Sequence, residues 1–160
     1  RRVLFRSSVS GQETGPTDVA FNSDGTKMFV VGNVGRNVNE YACSTGFDVS
    51  TCSFTDAFDV SGQAGAPEGL AFNTDGTKMF VADNAGNDVN EYACSAFDVS
   101  TCSFTDAFSV YAQETVVASL AFNTDGTKMF VVGQGSTNVT DYACSAFDVS
   151  TCSFTDTFSV

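Results

Sequence analysis

A ten-residue segment occurs three times in this chain, and this repeat constrains the fold more than any other feature of the sequence. The segment 21–30 recurs almost unchanged at 72–81 and 122–131, so the copies are 51 and 50 residues apart. The one extra residue lies in the first copy, where Ser44-Thr45-Gly46-Phe47 corresponds to Ser95-Ala96-Phe97. A period of this length indicates supersecondary units that stack on one another and bury a shared core.

Each copy contains four short strand-like segments separated by turn-forming residues. Asn73-Thr74-Asp75-Gly76 is typical of a hairpin turn, because Asp-Gly accepts the positive φ of tight turns. A loop is predicted at 95–101, and Phe104 and Phe108 are predicted to share one face of the strand that follows it. The predicted strands of the second copy are 69–72, 77–82, 88–94 and 102–110.

Four strands in about 50 residues, repeated in tandem, are the pattern of a β-propeller blade. We therefore predict an all-β chain of three four-stranded antiparallel blades, at residues 16–60, 61–110 and 111–160. Residues 8–15 are interpreted as the end of a preceding blade, and residues 1–7 as translated sequencing-adapter sequence foreign to the protein. Because propellers close with about four to eight blades, three copies predict a fragment of a larger propeller, with open ends prone to self-association.

The second copy carries a family resemblance. Its run Pro-Glu-Gly-Leu-Ala-Phe-Asn-Thr-Asp-Gly-Thr-Lys-Met-Phe-Val-Ala-Asp, at 67–83, resembles blades of the YVTN and NHL propeller repeat families, which include lactonase-like propellers. The resemblance covers three strands of each blade and is weaker in the third copy, where Val117 replaces the proline and Gly133 the aspartate. It implies the propeller fold, and for lactonase-like members a channel metal held by carboxylates and amides. Such blades serve many functions, so it does not imply one activity.

Six cysteines fall as three pairs at the same place in every copy. Each pair brackets the loop between the third and fourth predicted strands, where antiparallel neighbours come within disulfide reach. With no His in the chain, two thiolates per blade make a poor zinc site. We predict three local disulfides and an extracellular or cell-surface location. The predicted pairs are Cys43 with Cys52, Cys94 with Cys102, and Cys144 with Cys152.

The charge balance limits the partners of this protein. Nineteen acidic residues against seven basic ones give a net charge of −12, which repels the phosphates of nucleic acids and of anionic membranes. No apolar run is long enough to insert into a membrane. The absence of His removes the commonest general base, and no catalytic residues are predicted, which favours a protein that is not an enzyme.

Comparison of the three copies with one another identifies a candidate binding surface. The turns between strands one and two and between strands three and four are nearly uniform, whereas the loops between strands two and three and the segments between blades differ. The two sets are expected on opposite faces, and variable loops on a rigid scaffold often bind ligands. Drift in unconstrained loops is the alternative. The predicted ligand-binding residues are Asn33, Arg36, Glu68, Asp83, Asn84, Asn87, Asp88 and Gln134.

Three smaller patterns add to this prediction. Asp83 and Asp88 are candidate calcium ligands, with turn formation by their side chains as the alternative. Asn138-Val139-Thr140 is a glycosylation sequon. One acid recurs in each third strand, and solvation of the sheet or pairing with a lysine explains it better than catalysis, since an active site breaks the repeat symmetry. These acids are Glu40, Glu91 and Asp141, and the lysines are Lys27, Lys78 and Lys128.

The sequence as a whole favours a secreted, non-catalytic propeller module. It is expected to bind a protein, a glycan or a small ligand through the variable loops, without nucleic acid and without a cofactor other than calcium. Two alternatives stay open at this point. One is a fragment of a lactonase-type or hydrolase-type propeller enzyme, and the other is a structural adhesin or filament array.

Overall fold

The computed structural model describes residues 8–160, so the segment 1–7 interpreted as adapter sequence lies outside the described residues. The described chain is all-β and consists of three four-stranded antiparallel sheets, which confirms the predicted fold class. Within these residues no helix is long and apolar enough to cross a membrane. A single turn of 3₁₀ helix at Val49–Thr51 precedes the last strand of the first sheet.

Each sheet is one blade, with its strands in chain order. Blade 1 contains β1 (Pro16–Phe21), β2 (Lys27–Gly32), β3 (Asn37–Cys43) and β4 (Cys52–Asp59). Blade 2 contains β5 (Pro67–Phe72), β6 (Lys78–Asp83), β7 (Asp88–Ser95) and β8 (Asp98–Ser109). Blade 3 contains β9 (Val117–Phe122), β10 (Lys128–Gly133), β11 (Asn138–Ser145) and β12 (Asp148–Ser159).

The blades stack face to face, and the core lies between them rather than inside any one sheet. Side chains alternate along each strand, so Met79 and Val81 of β6 point toward blade 1 while Phe80 and Ala82 point toward blade 3. All four are completely buried. The first strands of neighbouring blades lie side by side, as do the fourth strands, so each of the two junctions extends across the whole width of the sheets.

A lysine–glutamate latch crosses each junction between blades. Lys27 Nζ pairs with Glu40 at 2.7 Å and donates to the backbone carbonyl of Phe97 in blade 2 at 2.8 Å. Glu40 in turn accepts a hydrogen bond from the backbone N–H of Val99 at 3.1 Å. Lys78 and Glu91 repeat the same contacts with blade 3. The recurring acids therefore pair with the recurring lysines, as predicted.

The three predicted disulfides are present: Cys43–Cys52, Cys94–Cys102 and Cys144–Cys152. Each joins the third strand of a blade to its fourth strand, with Cα atoms 3.9–4.1 Å apart. The bond closes the hairpin between these two strands, and Cys43, Cys102 and Cys152 are buried in the apolar core.

The predicted loop at 95–101 is wrong in its extent. Ser95 pairs with Asp98, so only Ala96 and Phe97 form the turn, and strand β8 begins at Asp98. Both turn residues have positive φ, 46° and 61°, which Ala and Phe rarely adopt, so the sequence does not indicate a tight two-residue turn at this point. The backbone N–H of Phe97 bonds to the carbonyl of Gly76 at 2.9 Å and helps to hold this conformation.

The prediction that Phe104 and Phe108 share a face is also wrong. Phe104 packs edge-on against Tyr92 on the side of blade 1, whereas Phe108 packs against Tyr142 of blade 3. The pairing register between β7 and β8 shifts after Glu91, because β8 has a β-bulge between Phe104 and Asp106. The extra residue reverses the alternation of side chains, so Phe104 and Phe108 point to opposite faces of the sheet.

Loss of one disulfide should weaken the chain measurably. The double variant Cys94→Ser/Cys102→Ser removes a short closed loop and should lower the free energy of unfolding by about 2.5 kcal/mol, because the unfolded state gains freedom. Urea denaturation followed by circular dichroism measures the change. With reductant present the wild type and the variant should unfold at nearly the same urea concentration. Equal stability without reductant would contradict a stabilising role for the bond.

Candidate functional site

Hydrogen bonds place the variable loops and the segments between blades on one face of the stack. The backbone N–H of Asn33 bonds to the Gly15 carbonyl at 3.1 Å, and Asn84 bonds to Ala66 at 2.9 Å. Blade 3 repeats the contact. We call the surface formed by residues 10–15, 32–37, 61–66, 83–88, 111–116 and 133–138 the loop face, and the surface with the other turns the turn face.

The turn face is uniform for a physical reason. Gly76 has a φ of +71°, and a Cβ there would overlap the ring of Phe97, so the turn requires glycine. Asp75 accepts bonds from the hydroxyl and the backbone N–H of Thr77, and these lower the pKa of its carboxyl. The corresponding turns of blades 1 and 3 have the same contacts.

A buried carboxylate anchors the loop face of each blade. In blade 1 it belongs to Glu13, which accepts backbone N–H bonds from Gly15 at 2.7 Å and Gly35 at 2.9 Å. The carboxylate thus ties the segment before the blade to the loop between β2 and β3. Its position behind Gly32 leaves no space for a side chain at that residue, since a Cβ would overlap the glutamate.

Blade 3 has the same arrangement with Glu114. This carboxylate accepts bonds from the backbone N–H of Val116 at 2.8 Å and of Gly135 at 2.9 Å, and from the Ser136 hydroxyl at 2.7 Å. Burial raises the pKa of Glu114, but the hydrogen bonds together outweigh it, and the pKa lies below the ordinary glutamate value. Gly133 takes the place of Gly32, and a Cβ there would again meet the glutamate.

In blade 2 the anchoring carboxylate comes from the end of the second strand rather than from the segment before the blade. The position of the glutamate is Ala64, and the position of the glycine is Asp83. Asp83 is buried and accepts bonds from the backbone N–H groups of Ala66 at 2.6 Å, Ala85 at 3.3 Å and Gly86 at 2.6 Å. Blades 1 and 3 therefore have a Glu–Gly pair at these two positions, and blade 2 has an Ala–Asp pair instead. Asp83 stabilises the turn whatever else it binds.

Asp88 lies opposite Asp83 at the end of the β6–β7 hairpin. Burial raises the pKa of its carboxyl and the charge of Asp83 raises it further, while a bond from Asn90 Nδ2 at 2.8 Å opposes the shift. The Asn87 Oδ1 atom and the Tyr92 hydroxyl are buried and have no hydrogen-bond partner within residues 8–160. Blade 2 thus has polar groups of Asn87, Asp88 and Tyr92 that are shielded from solvent near the loop face.

The Tyr92 hydroxyl has no hydrogen-bond partner within residues 8–160, whereas the equivalent tyrosines of blades 1 and 3 each lie near a glutamine. The Tyr41 and Tyr142 hydroxyls lie 3.5 and 3.4 Å from the side-chain oxygens of Gln12 and Gln113. Burial and the charge of Glu114 raise the pKa of Tyr142 to about 12. Burial also raises the pKa of Tyr92, with Asp88 and Asp83 adding to the shift.

The junction between blades 1 and 2 brings two further candidates together. Asn33 Nδ2 donates to Glu68 Oε1 at 3.1 Å, so a loop of blade 1 touches the first strand of blade 2. Beside them, Asp18 Oδ2 accepts a bond from the backbone N–H of Leu70 at 2.9 Å, and Thr17 Oγ1 donates to the Pro67 carbonyl at 3.1 Å. Glu68 is half-buried and Asn33 is exposed, so both can meet a solute.

The remaining candidates stand separately on the loop face. Within the described chain the side chains of Arg36, Asn84 and Gln134 make no hydrogen bond, and Arg36 and Gln134 are exposed. Asn138 is half-buried at the start of β11, and its glycosylation stays a prediction. Residues 8–160 contain no group of three or more His, Cys, Asp or Glu side chains placed to hold a metal. Calcium at Asp83 and Asp88 stays a prediction.

The anchoring roles of Glu13 and Glu114 were missed by the sequence analysis. A signal was available, because the aligned copies show Glu with Gly twice and Ala with Asp once. A paired exchange of this kind indicates that the two positions are in contact.

Positions 64 and 83 should be coupled in stability. Ala64→Glu places a second carboxylate beside the backbone N–H groups that Asp83 accepts from, and Asp83→Gly leaves those N–H groups without an acceptor. Each variant should therefore lower the free energy of unfolding by about 1–3 kcal/mol. The double variant rebuilds the Glu–Gly arrangement and should recover most of the loss in a double-mutant cycle. Ala112→Glu combined with Asp83→Gly is the control, and its losses should add. Simple additivity for positions 64 and 83 would disprove the exchange.

Replacing Asp88 should stabilise the chain at neutral pH. Asp88→Asn removes a carboxylate whose folded-state pKa is raised, and gives blade 2 the asparagine that blades 1 and 3 have at Asn37 and Asn138. The charged form lowers stability progressively as the pH rises above the ordinary aspartate pKa of about 4, and the effect fades as the pH falls below that value and the carboxyl becomes protonated in both states. Thermal unfolding at pH 7 and pH 3.5 measures the difference, with Asp106→Asn as an exposed control. A variant no more stable than wild type at pH 7 would contradict this.

Comparison with solved structures finds the same fold at low sequence identity. The periplasmic gluconolactonase of Pseudomonas aeruginosa has a TM-score of 0.64 and 20% identity, over 91% of this chain and 39% of the other. A 6-phosphogluconolactonase candidate from Bacteroides fragilis has a TM-score of 0.63 and 14% identity, over 92% and 40%. The β-propeller domain of Cps50 from Myceliophteria thermophila has a TM-score of 0.58 and 10% identity, over 81% and 38%.

No protein-family model and no curated protein sequence matches the chain. The chain spans about two fifths of the length of these solved structures. At such identities the comparison shows the fold: the chain consists of β-propeller blades, and its structural neighbours include lactonase-like propellers.

Proposed function

We propose that these blades belong to a lactonase-like propeller that hydrolyses a neutral sugar lactone at the junction of blades 1 and 2, beside the loop face. The observation that carries the proposal is the Asn33–Glu68 contact at the junction of blades 1 and 2. It sets a partly exposed carboxylate, held by an amide, beside the first strands of two blades in a fold that a gluconolactonase shares. The finer assignment to the YVTN or NHL repeat families is part of the same proposal.

Glu68 is the proposed general base. Its carboxylate takes a proton from the attacking water, whose oxygen adds to the lactone carbonyl. The bond between the carbonyl carbon and the ring oxygen then breaks, the ring oxygen receives the proton, and an open hydroxy acid leaves. Asn33 holds the carboxylate through its Nδ2–H and fixes the direction of the free oxygen.

The negative net charge of the chain favours neutral lactones over phosphorylated ones. At −12 the chain repels a phosphorylated sugar and does not repel a neutral one. A gluconolactone-like substrate therefore fits this surface better than a 6-phosphogluconolactone-like one.

The channel metal implied by the family resemblance does not find a complete ligand set in residues 8–160. The nearest carboxylates of the junction are Asp18 and Glu68. Asp18 already accepts backbone N–H bonds from Val19 and Leu70. No described group of three or more acidic, His or Cys side chains is placed for a metal, so no step is assigned to one.

Ligand binding without catalysis is the second candidate. It is favoured by the buried carboxylates of Glu13, Asp83 and Glu114, which are committed to backbone N–H groups and leave few free acids on the loop face. The exposed side chains of Arg36 and Gln134 would then supply contacts to a glycan or protein.

We further propose that the protein works outside the cytoplasm. Three disulfides persist in oxidising compartments, and the Pseudomonas neighbour is periplasmic.

Hydrolysis of glucono-δ-lactone, followed by pH-stat with the spontaneous rate subtracted, tests the proposal. Glu68→Gln should lower kcat/KM at least about 100-fold, because it removes the base while it keeps the bond to Asn33. Asp106→Asn, which removes one exposed charge elsewhere, should leave the rate unchanged. A wild-type rate equal to the spontaneous rate refutes hydrolysis; if the lactone still raises the unfolding temperature, the binding candidate stands instead.

A further inference from the structure

We propose that blade 2 binds one calcium ion at the end of the β6–β7 hairpin, between the carboxylates of Asp83 and Asp88. The amide oxygen of Asn87 is the third protein ligand, and the Tyr92 hydroxyl holds a water molecule of the coordination shell. We call this group of four residues the blade 2 corner. It contains no residue of the junction proposed for lactone hydrolysis, so calcium binding does not depend on that activity.

The two carboxylates of the blade 2 corner face one space beside Gly86. A Cβ atom built on Gly86 would stand 2.7 Å from Asp88 Oδ2 and 2.9 Å from Asp83 Oδ2. The two aspartates are also paired across the hairpin, as the last residue of β6 and the first residue of β7. Glycine leaves this space free of side-chain atoms, and carboxylate oxygens on its two sides are ligands of the type that calcium prefers.

The Asp88 carboxylate has no role in forming the turn itself. Its Oδ1 atom accepts a hydrogen bond only from Asn90 Nδ2, at 2.8 Å, and its Oδ2 atom accepts none within residues 8–160. An aspartate that shapes a turn accepts bonds from backbone N–H groups, as Asp83 does. Blades 1 and 3 form the corresponding hairpin with asparagine, at Asn37 and Asn138. The turn therefore does not require a negative charge at position 88.

No basic side chain of the described chain compensates the two charges. Its salt bridges join the lysines of the second strands to the acids of the third strands and include neither Asp83 nor Asp88. Asp83 is buried and Asp88 is half-buried, so their mutual repulsion is screened less than on an open surface. A cation between the two carboxylates replaces this repulsion with attraction.

Asn87 supplies an oxygen atom that is free to bind the ion. Its Oδ1 atom is buried and has no hydrogen-bond partner within the described residues. The φ of Asn87 is +53°, and Arg36 and Thr137 have φ values of 54° and 55° at the same position of blades 1 and 3. Because arginine and threonine adopt the same backbone, the turn does not require asparagine. A buried amide oxygen on the residue before Asp88 is thus available as a third calcium ligand.

Tyr92 closes the inner side of the blade 2 corner. Its side chain is completely buried, and its hydroxyl has no hydrogen-bond partner within residues 8–160. Tyr92 and Asp88 lie on the same face of β7, because side chains four residues apart along a strand point the same way. Burial raises the pKa of Tyr92, and the charges of Asp88 and Asp83 raise it further, so the hydroxyl lies near both carboxylates. A calcium-bound water at this place gives the hydroxyl the partner that it lacks.

The counterparts of Tyr92 use their hydroxyls differently. The hydroxyls of Tyr41 and Tyr142 lie 3.5 and 3.4 Å from glutamine side chains in the segments before their blades. Those segments belong to the loop face, so the tyrosine hydroxyls point toward that face. The corresponding glutamine of blade 2, Gln63, is exposed and makes no side-chain hydrogen bond within the described chain. Blade 2 therefore leaves unpaired a buried hydroxyl that the other blades place beside glutamine.

The ligand atoms of the blade 2 corner favour calcium over other common metals. All of them are oxygens, whereas zinc prefers nitrogen and sulfur ligands. Calcium takes six to eight oxygens in irregular arrangements that include water, whereas magnesium requires a near-ideal octahedron. Residues 8–160 contain no group of three or more acidic, His or Cys side chains placed for a metal, so water fills the remaining positions. With two carboxylates the expected Kd is about 10⁻⁴–10⁻³ M, as in extracellular calcium modules.

Thermal unfolding of the 160-residue chain at pH 7, followed by circular dichroism, tests the site. Calcium chloride at about 10 mM is compared with EDTA and with sodium chloride of equal ionic strength, which controls for screening of the net charge of −12. Calcium should raise the unfolding temperature by about 3–6 °C above both references, because it binds the folded chain. Isothermal titration calorimetry should give one calcium ion per chain.

Two variants and a control assign the ion to the blade 2 corner. Asp88→Asn removes one charged ligand and should lose the calcium shift, whereas in EDTA it should unfold at or above the wild-type temperature, which shows that it folds. Tyr92→Phe keeps the buried ring and should weaken calcium binding about 10-fold, because it removes the contact to the bound water. Asp106→Asn removes an exposed acid outside the corner and should keep the full shift.

An unfolding temperature that is the same in calcium, EDTA and sodium chloride overturns the proposal. A calcium shift that Asp88→Asn retains in full overturns it as well, because the ion then binds elsewhere on the acidic surface. Tyr92→Phe chains that bind calcium as tightly as the wild type remove the hydroxyl from the site. None of these measurements uses a lactone, so a negative result leaves the proposed hydrolysis to its own test.

Discussion

The stacking of one blade on the next is the contact on which the rest of this structure depends. A four-stranded sheet has two apolar faces, and a single blade cannot bury either of them. Here the burial is achieved between sheets: β6 sends Met79 and Val81 to one neighbour and Phe80 and Ala82 to the other. The latch of lysine and glutamate then fixes the register of each junction, because it joins a side-chain pair to backbone groups at defined positions.

The disulfides and the anchoring carboxylates support this stacking from the two faces of the molecule. The Cys94–Cys102 bond closes the hairpin that carries Phe97 and Val99, the residues that meet the latch of the preceding blade. On the opposite face, Glu13 ties the segment that enters a blade to the loop between its second and third strands. Each blade thus has a fixed hairpin at one end and a fixed loop at the other, and the sheet between them packs as a rigid layer.

Sequence reasoning predicted what the repeat determines locally. The period gave the blades, the position of the cysteines gave the disulfides, and the recurrence of Lys78 and Glu91 gave their pairing. It failed where tertiary contacts override local preference. Ala96 and Phe97 adopt positive φ because the Phe97 ring and backbone pack on Gly76, and the bulge in β8 reverses Phe104 because the register shifts there. The candidate site was predicted as a list of polar loop residues, and which of them touch could not be read from spacing alone.

The physics of the two faces changes what loop variation means. The turn face is nearly uniform because Gly76 and Phe97 pack against each other so closely that a side chain at Gly76 would overlap the ring, and the one departure is the extra residue Gly46 in blade 1. The loop face tolerates change because the backbone N–H groups of each loop need one carboxylate as acceptor. That carboxylate can come from the segment before the blade, as with Glu13, or from the end of the second strand, as with Asp83. Variation at Asp83 is therefore explained without a ligand. Glu68 has no acidic counterpart in the other blades, where Thr17 and Ala118 stand at its position, so the contact of Asn33 with a carboxylate occurs at one junction only.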